Sequence, residues 1–129
     1  MARADLIPTD ALLDYLARVG ARTDAVLDRV RRETAKMPRA GMQVAPEQGA
    51  LLELLARLVG ASRILEVGTF TGYSAICLAR GLQDGGELLC LEVDEEYAAI
   101  ARRNLDDAGV GDRVEIRVGP AADALRAMP

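Results

Sequence analysis

The sequence predicts an α/β fold built on a parallel, doubly wound sheet, and three observations carry that prediction. From Arg63 onward, short apolar runs alternate with amphipathic stretches in the order strand, helix, strand, helix, strand, the pattern of parallel strands joined by right-handed crossovers. The first run, Ile64-Leu65-Glu66-Val67, ends in a glycine-bounded loop, Gly68 to Gly72, that opens directly into a helix. The second run, Glu87-Leu88-Leu89-Cys90-Leu91-Glu92, ends in an acid. In sheets of this kind ligands sit beyond the carboxyl ends of the strands, where a loop meets a helix N-terminus. An acid at the tip of the second strand is placed to grip a ribose diol, so the two features together point to an adenosine-containing ligand.

Each element has its own signal. Thr9 can cap a helix over residues 10–19 that Gly20 stops, with Leu12, Leu13, Leu16 and Val19 as its apolar stripe. Thr23 or Asp24 starts a second helix that runs to about residue 36, with Val26, Leu27 and Val30 on one side. Residues 37–41 read as a linker. Pro46 suits the first turn of a third helix, Pro46–Leu58, closed by Gly60. Its Leu51, Leu52, Leu54, Leu55 and Leu58 cover more than one face, so this helix is expected to be wedged between other elements. Strands are expected over Arg63–Val67, Glu87–Glu92 and Val114–Val118. Helices are expected over residues 73–82, from the Asp94 cap to Gly109, and in two turns over residues 121–128. The chain reads as a single domain of 129 residues, with N-terminal helices over 1–41 and the sheet unit over 42–129.

Composition narrows the function classes. Half the residues are hydrophobic, and Tyr15, Phe70, Tyr73 and Tyr97 are the aromatic ones, so the core is Leu, Val, Ala and Ile. A net charge of −4 with dispersed basic residues argues against a nucleic-acid footprint. Residues 1–10 show no apolar leader core, and no apolar stretch reaches membrane-spanning length. Cys77 and Cys90 read as small buried hydrophobes, which suits a reducing cytoplasm. With no histidine there is no imidazole ligand or base. The acids Asp94-Glu95-Glu96 stand at a helix start, where they complement the dipole, and Asp106-Asp107 lie near the end of the same helix; neither reads as a metal site.

The loop narrows the ligand. A dinucleotide fingerprint needs a glycine where Phe70 stands, because the backbone must approach a pyrophosphate there. A phenyl ring would obstruct that group but could flank a ligand without one. S-adenosylmethionine fits: it carries an adenosine, a ribose diol and a zwitterionic tail. The tail's carboxylate can use the N–H groups and hydroxyl near Ser74, and its ammonium would favour Glu66. A loop with two glycines that serves packing alone is the competing reading.

Three linked segments then carry a resemblance: Met42-Gln43-Val44-Ala45-Pro46-Glu47-Gln48-Gly49, Leu65-Glu66-Val67-Gly68-Thr69-Phe70-Thr71-Gly72-Tyr73-Ser74, and Gly119-Pro120-Ala121. In order and spacing, from about Thr34 on, the chain resembles the S-adenosylmethionine-dependent O-methyltransferases of the catechol and caffeoyl-CoA type. The resemblance implies the Rossmann-like class I methyltransferase fold and a cofactor site. Val44 would line its methionine end; Glu66, Gly68, Thr69 and Phe70 would form its floor. Ser74 would hold the carboxylate, Glu92 the ribose hydroxyls, and Ala121 would lie beside the adenine. It further implies a phenolic or catechol-like acceptor, a homodimer, and a divalent metal such as magnesium. The family's metal ligands follow a fourth strand, which is not readable before Pro129, so no metal ligand and no catalytic base is assigned here. Ile64, Leu65 and Val67 are accordingly expected on an uncovered sheet edge. The rivals are a non-catalytic remnant that binds S-adenosylmethionine or a partner, and an NAD-dependent oxidoreductase domain, against which Phe70 argues.

Overall fold

A computed structural model describes residues 7–21 and 23–128. Helices α1 (Asp10–Gly20), α2 (Ala25–Thr34) and α3 (Pro46–Leu58) precede the alternating unit of β1 (Arg63–Val67), α4 (Tyr73–Gly81), β2 (Glu87–Glu92), α5 (Glu95–Asp107), β3 (Val114–Val118) and α6 (Ala121–Arg126). The three strands are parallel and lie in the order β1-β2-β3, with Glu66 opposite Cys90 and Glu92 opposite Val118. All three strands fall where the sequence places them, and the helices differ from expectation by a residue or two at their ends. The predicted linker instead contains a single 3-10 turn, Ala40–Met42, entered through Arg39 in the left-handed region. The leader reading of residues 1–10 falls largely on residues 1–6, and Pro129 also lies outside the described residues.

Caps fix where the helices begin. Thr9 accepts from the Leu12 N–H and Asp24 from those of Val26 and Leu27; Asp94 does the same for Glu96 and Tyr97. One face of the sheet carries the core. Ile64, Leu88, Cys90, Val114 and Ile116 meet Ile76, Ala79 and Leu105 from α4 and α5. Both cysteines are free and buried there. The other face is more open: Leu65 and Val67 are exposed, although Leu91 is buried, and α6 touches the sheet at β2. β1 lies at an edge of the sheet, as expected, but Ile64 adds no exposed apolar surface there, since its side chain turns inward onto the core while Leu65 and Val67 turn out.

Leu27 and Val30 of the α2 stripe are buried within the main core, whereas no residue of α1 is buried. One expectation about the helices needs correction: the leucines of α3 do not wedge it in place. Leu51, Leu54, Leu55 and Leu58 are exposed, and α3 packs on α4 through its small residues instead. A Cβ at Gly81 would stand 2.6 Å from the Ala56 Cβ and 2.7 Å from the Glu53 carbonyl oxygen, so the two backbones touch where only glycine fits.

Candidate functional site

The loop between β1 and α4 folds back on itself through three left-handed residues, Gly68 (φ 84°), Phe70 (φ 51°) and Gly72 (φ 88°). Glycine takes this region freely; phenylalanine does so at a cost of about 1 kcal/mol or more. Two interactions hold Phe70 there. Its N–H donates to Glu92 Oε2 at 2.7 Å, and its buried ring meets Tyr97 edge-on with the centroids 4.7 Å apart. Gly72 completes the turn against α5, where a Cβ would lie 3.2 Å from Ala101 Cα.

Glu92 ties the loop to the tip of β2. Its Oε2 accepts from the N–H groups of Thr69 (3.0 Å) and Phe70 (2.7 Å), and its Oε1 from those of Val93 (2.9 Å) and Asp94 (3.1 Å). The side chain is 7% exposed, so these are charge-assisted bonds to a buried carboxylate rather than the contacts of a solvated strand end. Glu66, on β1, faces the same space. Ser74 Oγ donates to its Oε1 at 2.6 Å and the Cys90 thiol to its Oε2 at 3.5 Å. Burial pushes the Glu66 carboxyl above its ordinary pKa and the neighbouring Glu92 charge adds to this, while the bond from Ser74 opposes it. The Thr69 hydroxyl adds a weaker opposing pull without reaching hydrogen-bond geometry. Burial likewise pushes the Cys77 and Cys90 thiols up to about 12, so neither is a thiolate nucleophile at neutral pH.

A buried polar network supports the loop from behind. The hydroxyls of Thr34, at the end of α2, and Thr71 lie 2.8 Å apart. Asn104 on α5 donates to the Thr71 carbonyl at 2.9 Å and accepts from Arg29 of α2 at 3.2 Å. Helices α2 and α5 thus hold the loop's backbone jointly.

Between the loop and the Met42-Gln43-Val44 segment lies a hollow of about 70 Å³. Val44, Gly68, Thr69, Phe70 and Ser74 all line it, and Glu66 and Glu92 are bonded to residues of its wall. Two buried polar atoms among its lining residues have no hydrogen-bond partner, Gln43 Nε2 and Thr69 Oγ1. Ala121 stands apart at the first turn of α6 and does not line the hollow. Two larger hollows, about 360 Å³ beside α1 and α3 and about 370 Å³ under the first residues of the strands, contain none of the residues expected to bind. The sequence reading missed Gln43, Tyr97, Thr34 and Asn104. Gln43 lay within a quoted motif, whereas Thr34 and Asn104 meet the loop from distant positions and carry no local signal. Among the described residues no group of three acidic, cysteine or histidine side chains could hold a metal ion, so the donor set for the implied divalent metal is not met here.

Comparison with known proteins places this site in a family. The family model described as O-methyltransferase matches residues 18–129. The catechol O-methyltransferase of Niastella koreensis is 44% identical over 110 residues, 83% of this chain and 48% of that protein. The caffeoyl-CoA O-methyltransferase of Petroselinum crispum is 32% identical over 93% of this chain and 51% of its own length. Among solved structures, an O-methyltransferase from Bacillus cereus in complex with SAH superposes with a TM-score of 0.83 at 43% identity, over 90% of this chain and 53% of that one. The O-methyltransferase TomG from Streptomyces achromogenes, in complex with SAM, gives 0.82 at 38% identity, over 92% and 54%. The chain thus spans about half the length of the relatives it matches. With its three parallel strands in one sheet and this similarity, the chain belongs to the O-methyltransferase family and has its Rossmann-like class I fold.

Proposed function

We propose that this chain supplies the S-adenosylmethionine-binding part of an O-methyltransferase acting on a hydroxyl of a phenolic or catechol-like small molecule. The observation that carries the reading is the latch between Glu92 and the left-handed loop, which places a buried carboxylate at the strand tip beside a loop that opens onto a helix N-terminus. The ribose diol takes the Oε1 side of Glu92, in place of the bonds from Val93 and Asp94, while Oε2 keeps the loop in position. Gly68, Thr69 and Phe70 form the floor, Glu66 faces the ammonium, and Val44 and Ser74 flank the methionine end. Ala121 stands near the adenine at the start of α6.

In the reaction the acceptor oxygen attacks the sulfonium methyl carbon. The carbon–sulfur bond breaks toward sulfur, leaving S-adenosylhomocysteine, and the hydroxyl proton leaves to a base. The chain's own described residues bind and orient the cofactor. Acceptor-binding groups, the base and the divalent metal belong, in this reading, to the part of the relatives' length that this chain does not span. A homodimer through the exposed stripe of α1 is proposed on the same footing. Cytoplasmic residence is proposed from the two free, buried thiols; no helix of the described residues is long and apolar enough to cross a membrane.

Equilibrium dialysis with labelled S-adenosylmethionine, NAD and chelator tests the reading. S-adenosylmethionine should be retained in preference to NAD, with or without chelator, because the residues that bind it need no metal. Preferential retention of NAD, or loss of binding in chelator, would contradict it.

A further inference from the structure

The hydrogen bonds behind the β1–α4 loop join into a single chain that runs from a cation on α2 to the carboxylate of Glu92. Arg29 Nη1 donates to Asn104 Oδ1 at 3.2 Å. Asn104 Nδ2 donates to the Thr71 carbonyl at 2.9 Å. That carbonyl belongs to the same planar peptide as the Gly72 N–H, which donates to the Thr69 carbonyl at 3.0 Å. The Thr69 carbonyl in turn shares its peptide with the Phe70 N–H, which donates to Glu92 Oε2 at 2.7 Å. Between the guanidinium and the carboxylate stand the side-chain amide of Asn104 and two loop peptides, each accepting at one end and donating at the other. Such a series polarises its members, and each accepted bond strengthens the next donation.

The direction of the series is set at its far end. A guanidinium has only donors, so it fixes the Asn104 oxygen toward α2 and the NH₂ toward Thr71. Arg29 is itself pinned to α5 by Asp107 at 2.7 Å. The near end carries strain, because Phe70 is held left-handed against its own preference. A ligand that takes Glu92 Oε1 competes with Val93 and Asp94. It does not compete with Asn104, which is buried behind the loop and does not line the hollow.

We infer that Asn104 and Arg29 are positioning residues for the cofactor site: through two loop peptides they aim the Phe70 N–H at Glu92, and so hold the carboxylate ready for its ligand. The inference rests on the S-adenosylmethionine reading above. It makes helix α2, remote in sequence from the loop, a determinant of cofactor affinity.

Phe70 is the only phenylalanine in the chain, so labelling that amino acid alone gives one backbone amide signal in the magnetic resonance spectrum. A short bond to a buried carboxylate should place this signal far downfield. In Asn104→Leu, without ligand, it should move toward the ordinary amide position, and calorimetry should show S-adenosylhomocysteine weakened by about three- to tenfold, the worth of one hydrogen bond. Arg29→Met, at a part-exposed position that leaves the core intact, should move both readouts the same way by less. Val114→Ala, in the core at the opposite end of the sheet from the strand tips, should lower the melting temperature yet leave the Phe70 signal and the affinity as they are. An unmoved Phe70 signal in both Arg29→Met and Asn104→Leu would overturn the inference, as would equal movement of signal and affinity in Val114→Ala. Failure of the unaltered chain to bind S-adenosylhomocysteine would overturn the cofactor reading and the claim on affinity with it, whereas the Phe70 signal of the ligand-free chain judges the hold on the loop by itself.

Discussion

Burial makes Glu66 a costly group to keep ionised, and that cost is open to titration. Its carboxyl is held above its ordinary value of 4.5, so the folded chain retains this proton at pH values where the unfolded chain has released it. Stability from this group is therefore complete below the unfolded pKa and falls as pH rises through the folded one. Glu66→Gln should remove the fall. Its urea midpoint at pH 7 should equal or exceed that of the unaltered chain, and the two should converge below pH 4.5. The same change should weaken S-adenosylhomocysteine, whose ammonium loses its partner. A midpoint at pH 7 lower by the equivalent of about 1 kcal/mol or more would mean that the bonds from Ser74 and Cys90 outweigh the desolvation. A residue that binding needs and folding resists is the expected mark of a site rather than of a core.

At the scale of elements, the two N-terminal helices part company. No residue of α1 is buried, whereas α2 places Leu27, Val30 and Thr34 in the interior and joins the loop network through Thr34 and Arg29. Removing residues 1–20 should leave the melting temperature of the chain within a few degrees and reduce self-association in light scattering. Removing residues 1–36 should lower the melting temperature sharply and abolish cofactor binding, because the Thr71 hydroxyl then loses its buried partner, at about 1–3 kcal/mol, and the apolar contacts of Leu27 and Val30 vanish. Equal stability of the two truncations would show that α2 is not a wall of the site. This division was not legible in the sequence, where both helices carry similar stripes. Strand bounds and caps were legible, because the β-runs, Thr9, Asp24, Asp94 and Gly109 act locally. The packing of α3 was not. Leucines signal a buried face by periodicity, but Gly49, Ala56 and Gly81 set how closely two helices approach, and that depends on both partners. The site showed the same split. Gly68, Phe70 and Glu92 stood out by type and place, whereas the acceptor that Ser74 meets and the donors that Glu92 meets are matters of three-dimensional competition.

Across the whole molecule, one face of a parallel sheet is covered by α4 and α5 while the other exposes Leu65 and Val67. Parallel sheets are ordinarily covered on both sides. The chain spans about half the length of its relatives. In the described residues a single carboxylate, Glu92, joins the tip of β2 to the loop between β1 and α4, and the proposed cofactor site is built around that link. The most direct measurement is therefore calorimetric titration of S-adenosylhomocysteine into the chain and into Glu92→Ala, with NAD as the competing ligand. The predicted result is binding by the unaltered chain, at least about tenfold weaker binding by Glu92→Ala through loss of charge-assisted hydrogen bonds, and no comparable affinity for NAD. An unchanged dissociation constant in Glu92→Ala, or tighter binding of NAD than of S-adenosylhomocysteine, would contradict the account.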